Sequence, residues 1–463
     1  MTTENKGMLI EAESFEDLGG WILDTEFIHI MGSPYLIAHG LGHPVKPATT
    51  IVTLPESGRW HVWVRTKNWV PGDWEAPGRF KLAVNGTELA KTFGEELDDW
   101  GWESAGSVDV ESSEVTLSLI DLTGFNGRCD AIYLTQDEND APDNSSEPMS
   151  DWRRRYAPVE DQPDGDYGLV VSGGGIAGCC AAVSAARTGL KVALLHDRSV
   201  LGGNGSPEVL VDPCGNFPPG RFPDLGGIVK EVVTEADYYG PNTMEAFEQA
   251  AEQRQALIVA EPNLSLFLDH FVYSVEADDG RISAIWAMDA HGTQRRRLKG
   301  RFFVDATGHG TVGLQAGADY HMEPGKRMGM TNYWKWRWTD HEVAFPETPW
   351  ALQLTEKAFP YPGDGPYLNK EGKPARIQHD HPLFFSPAKE GYNGQWFWES
   401  GFDKHPLNDL ESIRDHNMRA AFGAFNAMKN HGAYAHLYKR ENPHATAELY
   451  WMACIGGPRE TLQ

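Results

Sequence analysis

Three glycines at a fixed spacing carry the clearest chemistry in the sequence. Gly173, Gly175 and Gly178 form the pattern Gly-x-Gly-x-x-Gly in the stretch VVSGGGIAGCCAAVSAARTGLKVALLHDR. In this pattern the first glycine permits a tight turn, the second lets a diphosphate approach the backbone, and the third lets a helix pack closely on a strand. The start of that helix offers N–H groups that suit phosphate oxygens. The residues predicted to contact a dinucleotide here are Gly173, Gly174, Gly175, Ile176, Ala177 and Gly178.

A polar segment follows the turn at the distance where a ribose is usually bound. The second strand of the unit ends at His196 and Asp197, and Arg198 comes next. An acidic residue normally binds the ribose hydroxyls, and Asp197 lies one position after the usual place, which His196 occupies. Either Asp197 reaches the ribose, or a neutral His196 does so as both donor and acceptor.

Two neighbouring histidines and one arginine are the candidates for catalysis. His379 and His381 flank Asp380 in QHDHPLFF, and an imidazole suits a general base. The His-x-His spacing also places two rings on one face of a strand, as in some metal sites, but no further ligand can be assigned. Arg221 could bind a carboxylate or a diphosphate. We therefore predict His379, His381 and Arg221 as catalytic residues and no metal.

The elements around the glycine turn follow an α/β pattern. The predicted elements are a strand at 168–172, a helix at 176–188, a strand at 191–196, a helix at 243–259 and a helix opened by Asp409 at 409–432. Strands and helices that alternate in this way indicate a parallel sheet covered by helices.

Short alternating strands fill the front of the chain. Examples are GRWHVWVRT (58–66), SSEVTLSLIDL (112–122) and CDAIYLTQ (129–136). VNGT (84–87) predicts a hairpin, because Asn-Gly suits a type I′ turn. Repeated short strands without a helical period predict a β-sandwich. Residues 138–166 are polar and rich in proline, which is typical of a linker.

Two further glycine-rich segments complete a resemblance to a known family. LGGNGSPE (201–208) and FFVDATGHG (302–310) look like the LGGN-x-S-x-E and DATG-x-G patterns of a bacterial branch of FAD-dependent oxidoreductases with the glutathione-reductase-type fold. The resemblance covers about residues 167–463 and implies FAD as the cofactor. The further FAD contacts that it implies are His196, Asp197, Arg198, Gly202, Gly203, Asn204, Ser206, Ala306, Thr307 and Gly308.

The last residues, IGGPRETLQ (455–463), stop short of a segment that this resemblance leads one to expect. In proteins similar to this one, that segment contacts the ribityl chain and the flavin ring. The resemblance therefore implies an incomplete flavin-ring site, with Arg459 and Glu460 as the start of its closing motif. A domain that is complete at this point is the alternative.

The front of the chain resembles β-sandwich carbohydrate-binding modules. LIEAESFED (9–17), WHVWVRT and CDAIYL carry the likeness, and the loops 68–78 and 98–104 are rich in tryptophan. The residues predicted to stack on sugar rings are Trp69, Trp74, Trp100 and Trp102. The alternative is that these tryptophans cover the core or a domain interface. Such modules often hold a structural calcium ion, but Glu11 and Glu13 lack a loop of further oxygen ligands.

Charge and composition exclude several classes of partner. The chain has a net charge of −26, and residues 1–150 alone hold 26 acidic against 9 basic residues. Such acidity disfavours nucleic acid and anionic membranes, whose phosphates would be repelled. No apolar run approaches the roughly 20 residues of a membrane helix. A polar start and five cysteines without a disulfide pattern lead us to expect a cytoplasmic protein.

These observations predict a multidomain chain. The predicted parts are an all-β sandwich (1–137), a linker (138–166), the first part of an α/β FAD-binding Rossmann-like domain (167–325) and an inserted α+β substrate region (326–463). The expected function is that of an FAD-dependent oxidoreductase that takes a hydride from a carbohydrate or polyol, with an unassigned electron acceptor. One alternative is a carbohydrate-binding protein whose flavin domain is incomplete or vestigial, and another is flavin chemistry without net redox.

Overall fold

The chain folds into two compact units. The first comprises residues 1–161 with 290–295, and the second comprises 162–289 with 296–463. The structure is a computed structural model. It describes residues 7–142, 153, 156, 159–211, 213, 226–234, 244–322, 328–354, 399–433, 444–460 and 462.

The first unit is an antiparallel β-sandwich. Its strands are β1 (Gly7–Glu11), β2 (Ile22–Asp24), β3 (Tyr35–Ala38), β4 (Ala48–Thr53), β5 (Gly58–Thr66), β6 (Phe80–Val84), β7 (Thr87–Glu88), β8 (Gly101–Val110), β9 (Glu114–Asp121) and β10 (Gly127–Thr135). One sheet has the order β2-β3-β10-β5-β8, with β1 beside β10, and the other has the order β4-β9-β6-β7. A 3-10 turn (Ala12–Ser14) and a short helix, α1 (Ile28–Met31), connect strands.

Alternating side chains of the two sheets make the core of the sandwich. In β9, Val115, Leu117 and Leu119 point inward and belong to one buried cluster with residues of β5 and β10. The hairpin between β6 and β7 is also as predicted, since Asn85 and Gly86 have positive φ angles of 49° and 77°. The predicted all-β sandwich is therefore confirmed.

A six-stranded sheet forms the centre of the second unit. Its strands are β11 (Glu160–Ser172), β12 (Val192–Leu195), β13 (Leu264–Phe267), β14 (His270–Asp278), β15 (Arg281–Asp289) and β16 (Gln294–Asp305), in the order β13-β12-β11-β16-β15-β14. The described helices between these strands are α2 (Ile176–Arg187), α3 (Gly227–Val232) and α4 (Met244–Val259). β12 runs parallel to both β11 and β13. The chain leaves β11 toward β12, while β16 lies on the opposite side, so the strand order reverses between β11 and β16.

The strand β11 is longer than the sequence pattern indicates. The prediction placed its start at residue 168, after a linker, but the strand begins at Glu160. Opposite charges connect its first half to β16, where Arg295 lies 2.5 Å from Asp161 and Lys299 lies 2.9 Å from Asp164. The predicted start was wrong because charge pairs, and not an alternation of apolar residues, hold this part of the strand.

The remaining elements include one long helix. They are α5 (Thr311–Gln315), β17 (Met330–Thr331), β18 (Trp334–Trp338), α6 (Leu410–Lys429), β19 (Ala447–Met452) and β20 (Gly457–Pro458). The helix predicted at 409–432 is confirmed as α6. Its last residue, Lys429, donates hydrogen bonds to the carbonyls of His444, Ala445 and Ala447. Across the described ranges, no helix is long and apolar enough to span a bilayer.

Candidate functional site

The glycine turn lies where β11 passes into α2, at the point where the strand order reverses. Gly173 has a φ of +107°, and a Cβ added there would lie 2.1 Å from the carbonyl oxygen of Ala306. A Cβ added to Gly178 would lie 1.8 Å from the carbonyl oxygen of Gly173. The packing of the protein therefore excludes a side chain at both positions, for the reasons that the spacing predicts.

Gly175 differs from the other two glycines. Its φ is −66°, a value open to any residue, and a Cβ added there would meet no atom closer than Cα of Gly203, at 3.8 Å. Nothing in the described fold therefore requires glycine at position 175. Among the described side chains none caps the start of α2, so its first N–H groups are available to phosphate oxygens. A ligand that approaches the turn here would account for the absence of a Cβ.

A second glycine loop lies beside the turn. The backbone N–H of Gly202 donates to the carbonyl of Gly174 at 2.9 Å, and a 3-10 turn follows from Gly203 to Gly205. The side chain of Asn204 donates to the carbonyl of Pro458 at 2.8 Å. Ser206 is fully buried, and its hydroxyl accepts the N–H of Glu208. Both polar side chains thus shape the loop, and their contact with a cofactor stays a prediction.

The two candidates for the ribose differ in exposure. The ring of His196 is only 3% exposed. Its Nδ1 lies 3.1 Å from the nitrogen of Gly174, and its Nε2 lies 3.0 Å from the carbonyl of Val200. Both ring nitrogens therefore have partners within the protein. The side chain of Asp197 is 46% exposed, so the geometry favours Asp197 as the group that reaches a ribose.

Charges around Asp197 keep its carboxyl ionised. Partial burial raises the pKa of this group, but the His196 ring, whose Nδ1 lies 3.1 Å away, and the guanidinium of Arg198 outweigh it and lower the pKa below its usual range. Arg198 also lies 3.1 Å from Glu208, which follows the second glycine loop. An ionised carboxylate accepts hydrogen bonds from hydroxyl groups, as a ribose requires.

The Asp-Ala-Thr-Gly segment lies at the carboxyl end of β16, beside the glycine turn. The N–H of Ala306 donates to the carbonyl of Ser172 at 2.8 Å, so the ends of β16 and β11 lie side by side. Asp305 accepts from the N–H and the hydroxyl of Thr307, and from the N–H of Gly313. The hydroxyl of Thr307 in turn accepts N–H groups at the start of α5. The segment is therefore a rigid turn directly beside Gly173.

The predicted catalytic residues cannot be placed. His379, His381 and Arg221 lie outside the described residues. Arg459 and Glu460 do have partners: Arg459 pairs with Glu399 at 2.7 Å, and Glu460 accepts the N–H of Met328 at 2.9 Å. Within the described ranges, no group of three His, Cys, Asp or Glu side chains could hold a metal ion.

A fully buried arginine lies near the glycine loops. Arg254 on α4 has no exposed surface and donates a hydrogen bond to the carbonyl of Leu201 at 3.1 Å. Its stretch of sequence, EQRQ, has the composition of a solvated helix face. A single charged residue among polar neighbours gives no signal of burial.

The four tryptophans of the sandwich differ in exposure. Trp69 is 4% exposed, with its Nε1 bonded to the carbonyl of Phe125, and Trp102 is 7% exposed. Trp74 and Trp100 are half-buried and retain open surface. The N–H of Asn68 donates to the carbonyl of Leu97, so the structure brings the two tryptophan-rich loops together. The burial of Trp69 and Trp102 agrees with the alternative reading of those two as core residues.

A strand-turn-helix with two glycine loops at a strand-order reversal defines a dinucleotide-binding α/β protein. The profile of a family described as "FAD dependent oxidoreductase" matches residues 168–419. The match spans more than half of the chain, so the chain belongs to that family, and its cofactor is FAD. No curated protein matches the sequence.

Several solved structures are similar to parts of the chain. A family 35 carbohydrate binding module from Clostridium thermocellum shares 16% identity, covering 28% of this chain and 98% of its own, with a TM-score of 0.23. The CBM35 from Paenibacillus barcinonensis shares 19% identity over 28% of this chain and 99% of its own, with a TM-score of 0.24. A geranylgeranyl bacteriochlorophyll reductase-like protein from Thermoplasma acidophilum shares 14% identity over 40% of this chain and 49% of its own, with a TM-score of 0.28. Likenesses this distant carry no information about ligands.

Proposed function

We propose that this chain binds FAD at the reversal point of its sheet and oxidises a carbohydrate or polyol. The observation that carries the proposal is the meeting of three loops there: the glycine turn, the second glycine loop and the Asp-Ala-Thr-Gly turn. They lie at the carboxyl ends of strands, where open α/β sheets bind their ligands. The open position at Gly175 fits a bound diphosphate.

Individual residues then take defined roles toward FAD. The first N–H groups of α2 would bind the diphosphate, and Asp197 would accept hydrogen bonds from the adenosine ribose. Thr307 and Gly308 would form the wall of the site beside Gly173. FAD supplies the hydride acceptor, so the protein has to orient the substrate and move a proton from its hydroxyl. His379, His381 and Arg221 are our candidates for that task.

The proposal of a sugar substrate has its support in the sandwich. Trp74 and Trp100 are only half-buried, and the exposed part of an aromatic ring can stack on a sugar ring. The exposed carboxylates Asp73, Asp98 and Asp99 lie in the same two loops. Carboxylates beside an aromatic face can accept hydrogen bonds from sugar hydroxyls.

The first experiment is the visible absorption spectrum of the purified chain before and after addition of FAD. A protein-bound flavin spectrum is expected. Anaerobic addition of aldoses and polyols should then bleach the flavin absorption, since hydride transfer reduces the ring. A bound flavin that no carbohydrate reduces would remove the substrate part of the proposal. If the chain binds glycans but no flavin, even after reconstitution, the alternative of a carbohydrate-binding protein with a vestigial flavin domain is favoured.

Replacement of Trp100 should separate glycan binding from flavin binding. The ring of Trp100 lies 4.9 Å from that of Tyr35 and beneath the guanidinium of Arg65, so it is held in place. Trp100→Ala is expected to weaken binding of soluble xylan, glucomannan or β-glucan by about tenfold, with FAD binding unchanged. Affinity electrophoresis measures the glycan binding. The matched control is Trp286→Ala, a half-buried tryptophan of the second unit, and equal losses in both variants would contradict the prediction.

A further inference from the structure

Arg254 occupies an unusual position behind the second glycine loop. It lies on α4, and its side chain has no exposed surface. Its Nε donates to the carbonyl of Val232 at 3.2 Å, and its Nη1 donates to the carbonyls of Leu201 at 3.1 Å and Gly205 at 3.5 Å. One guanidinium thus connects α4 with α3 and with both ends of the loop from Leu201 to Gly205.

The same guanidinium explains a glycine in the loop. Gly202 has a φ of +130°, and a Cβ added there would lie 2.5 Å from Nη1 of Arg254 and 2.8 Å from the carbonyl oxygen of Gly205. The backbone angle and the carbonyl of Gly205 therefore require glycine at position 202, and the guanidinium of Arg254 fills the space beside it. The arginine and the glycine form one structural unit.

The loop that Arg254 holds lies against the glycine turn. Gly202 bonds to Gly174 and forms a bridge with Gly175. Gly203 approaches the turn so closely that a Cβ added to it would lie 3.1 Å from Cα of Gly175. A shift of the loop by an ångström would change the space over Gly175, where we place the diphosphate.

The charge of Arg254 acts on the same turn. Burial raises the pKa of the Cys179 thiol to about 12, and Arg254 counteracts this increase. It also counteracts the raised pKa of Cys180. Both cysteines lie in the first half of α2, so the positive field of the guanidinium reaches the helix end that faces the ligand. In a buried region such a field is weakly screened.

We propose that Arg254 is a positioning residue for the dinucleotide: its guanidinium fixes the loop from Leu201 to Gly205 against the glycine turn, and its buried charge favours the diphosphate. The inference rests on the proposed function, because it assigns a determinant of affinity to the same site. Arg254 touches the loop from behind, so it acts through the loop and not by direct contact with FAD. Lysine cannot replace it fully, since an ammonium lacks the planar fork that reaches several carbonyls.

The test compares three ligands, FAD, ADP and adenosine, by isothermal titration of the full chain and its variants. Arg254→Lys is expected to weaken ADP binding by about tenfold and Arg254→Met by about a hundredfold, with FAD following the same order. Adenosine, which has no phosphate, should bind nearly as before. The matched control is Arg414→Met, because Arg414 is also fully buried on a helix of the second unit.

A second measurement needs no ligand. Hydrogen exchange of the amides of Gly202, Gly205 and Val211, which are hydrogen-bonded in the loop, should accelerate in both Arg254 variants and stay unchanged in Arg414→Met. If the Arg254 variants weaken adenosine binding as much as ADP binding, this inference is overturned and the proposed function stands. The same holds if the Arg254→Met chain binds ADP as tightly as the unaltered chain. If the unaltered chain binds neither FAD nor ADP, the proposed function fails and this inference falls with it.

Discussion

The Gly175→Ala variant is expected to lose FAD affinity by about a hundredfold while it remains as stable as the unaltered chain. The φ of −66° suits alanine, and the nearest atom to the new Cβ is 3.8 Å away, so the free energy of unfolding should change by less than about 1 kcal/mol. With FAD bound, the methyl group would occupy space that the diphosphate needs, and overpacking of this kind costs about 1–3 kcal/mol. Flavin fluorescence titration and denaturant unfolding of the apo-chain measure the two quantities.

Gly178→Ala provides the contrast. Its Cβ would lie 1.8 Å from the carbonyl oxygen of Gly173, so the turn itself must move. We expect a loss of about 3 kcal/mol or more in the stability of the second unit, together with the loss of FAD binding. A Gly175→Ala chain that bound FAD normally would show that the diphosphate does not lie over this residue. If it unfolded as easily as Gly178→Ala, the description of Gly175 as free of packing constraints would be wrong.

The spacing of the glycines predicts much of the site because it reflects backbone geometry. Gly173 and Gly178 are needed to join a strand to a helix at close range, and this requirement is local in the sequence. Gly202 could not be interpreted in the same way. Its side-chain space is taken by Arg254, which lies 52 positions away, and the sequence around Arg254 resembles that of an exposed helix.

For the ribose site too, the sequence predicts one part and the fold determines the other. The sequence placed His196 and Asp197 correctly at the end of β12 but left open which one contacts the ligand. The structure favours Asp197, because hydrogen bonds with Gly174 and Val200 occupy both nitrogens of His196. Such partners depend on the turn of the backbone after the strand, and residue type alone does not specify it.

Tryptophans in loops gave the least reliable prediction of exposure. Trp69 and Trp102 come from loop-like or strand-edge sequence, and yet the fold buries both. A large aromatic side chain contributes strongly to stability when buried, so a small sandwich tends to draw such residues into its core. Residue type in this case cannot separate a binding surface from a packed one.

A buried group of charges in the sandwich was also hidden in the sequence. Glu13 and Asp130 have no exposed surface, and Glu11 lies beside them. Arg153 pairs with Glu11 and Asp130, and Arg65 lies 2.7 Å from Asp130. Arg153 belongs to the polar stretch after β10 that resembles a linker, so its burial could not be predicted. Glu13 is not part of these ion pairs, and among the described residues neither of its carboxylate oxygens has a hydrogen-bond partner.

This arrangement makes the sandwich sensitive to pH. Burial raises the pKa of Glu11 to about 7, against the opposing charge of Arg153, and burial and Glu11 together raise the pKa of Glu13 well above its usual range. A folded-state pKa above the unfolded value of 4.5 means that the folded chain holds the proton more tightly. The stability from each protonated carboxyl is therefore complete below pH 4.5 and is lost as the pH rises through the folded pKa.

Glu13→Gln should therefore stabilise the sandwich at alkaline pH. Glutamine keeps the shape of the side chain but has no proton to lose, so the cost of keeping this buried carboxyl protonated, or of ionising it without a partner, disappears. The measurement is calorimetry of the full chain at pH 8 in a buffer with a chelator. The free energy of unfolding of the sandwich should rise by about 1–3 kcal/mol, and this gain should shrink as the pH falls. Asp121→Asn is the matched control, because the buried carboxylate of Asp121 accepts N–H groups of Val45, Thr123 and Gly124, and it should lose stability. A lower transition temperature for Glu13→Gln at pH 8 would mean that the charge of Glu13 has a stabilising partner in the folded chain.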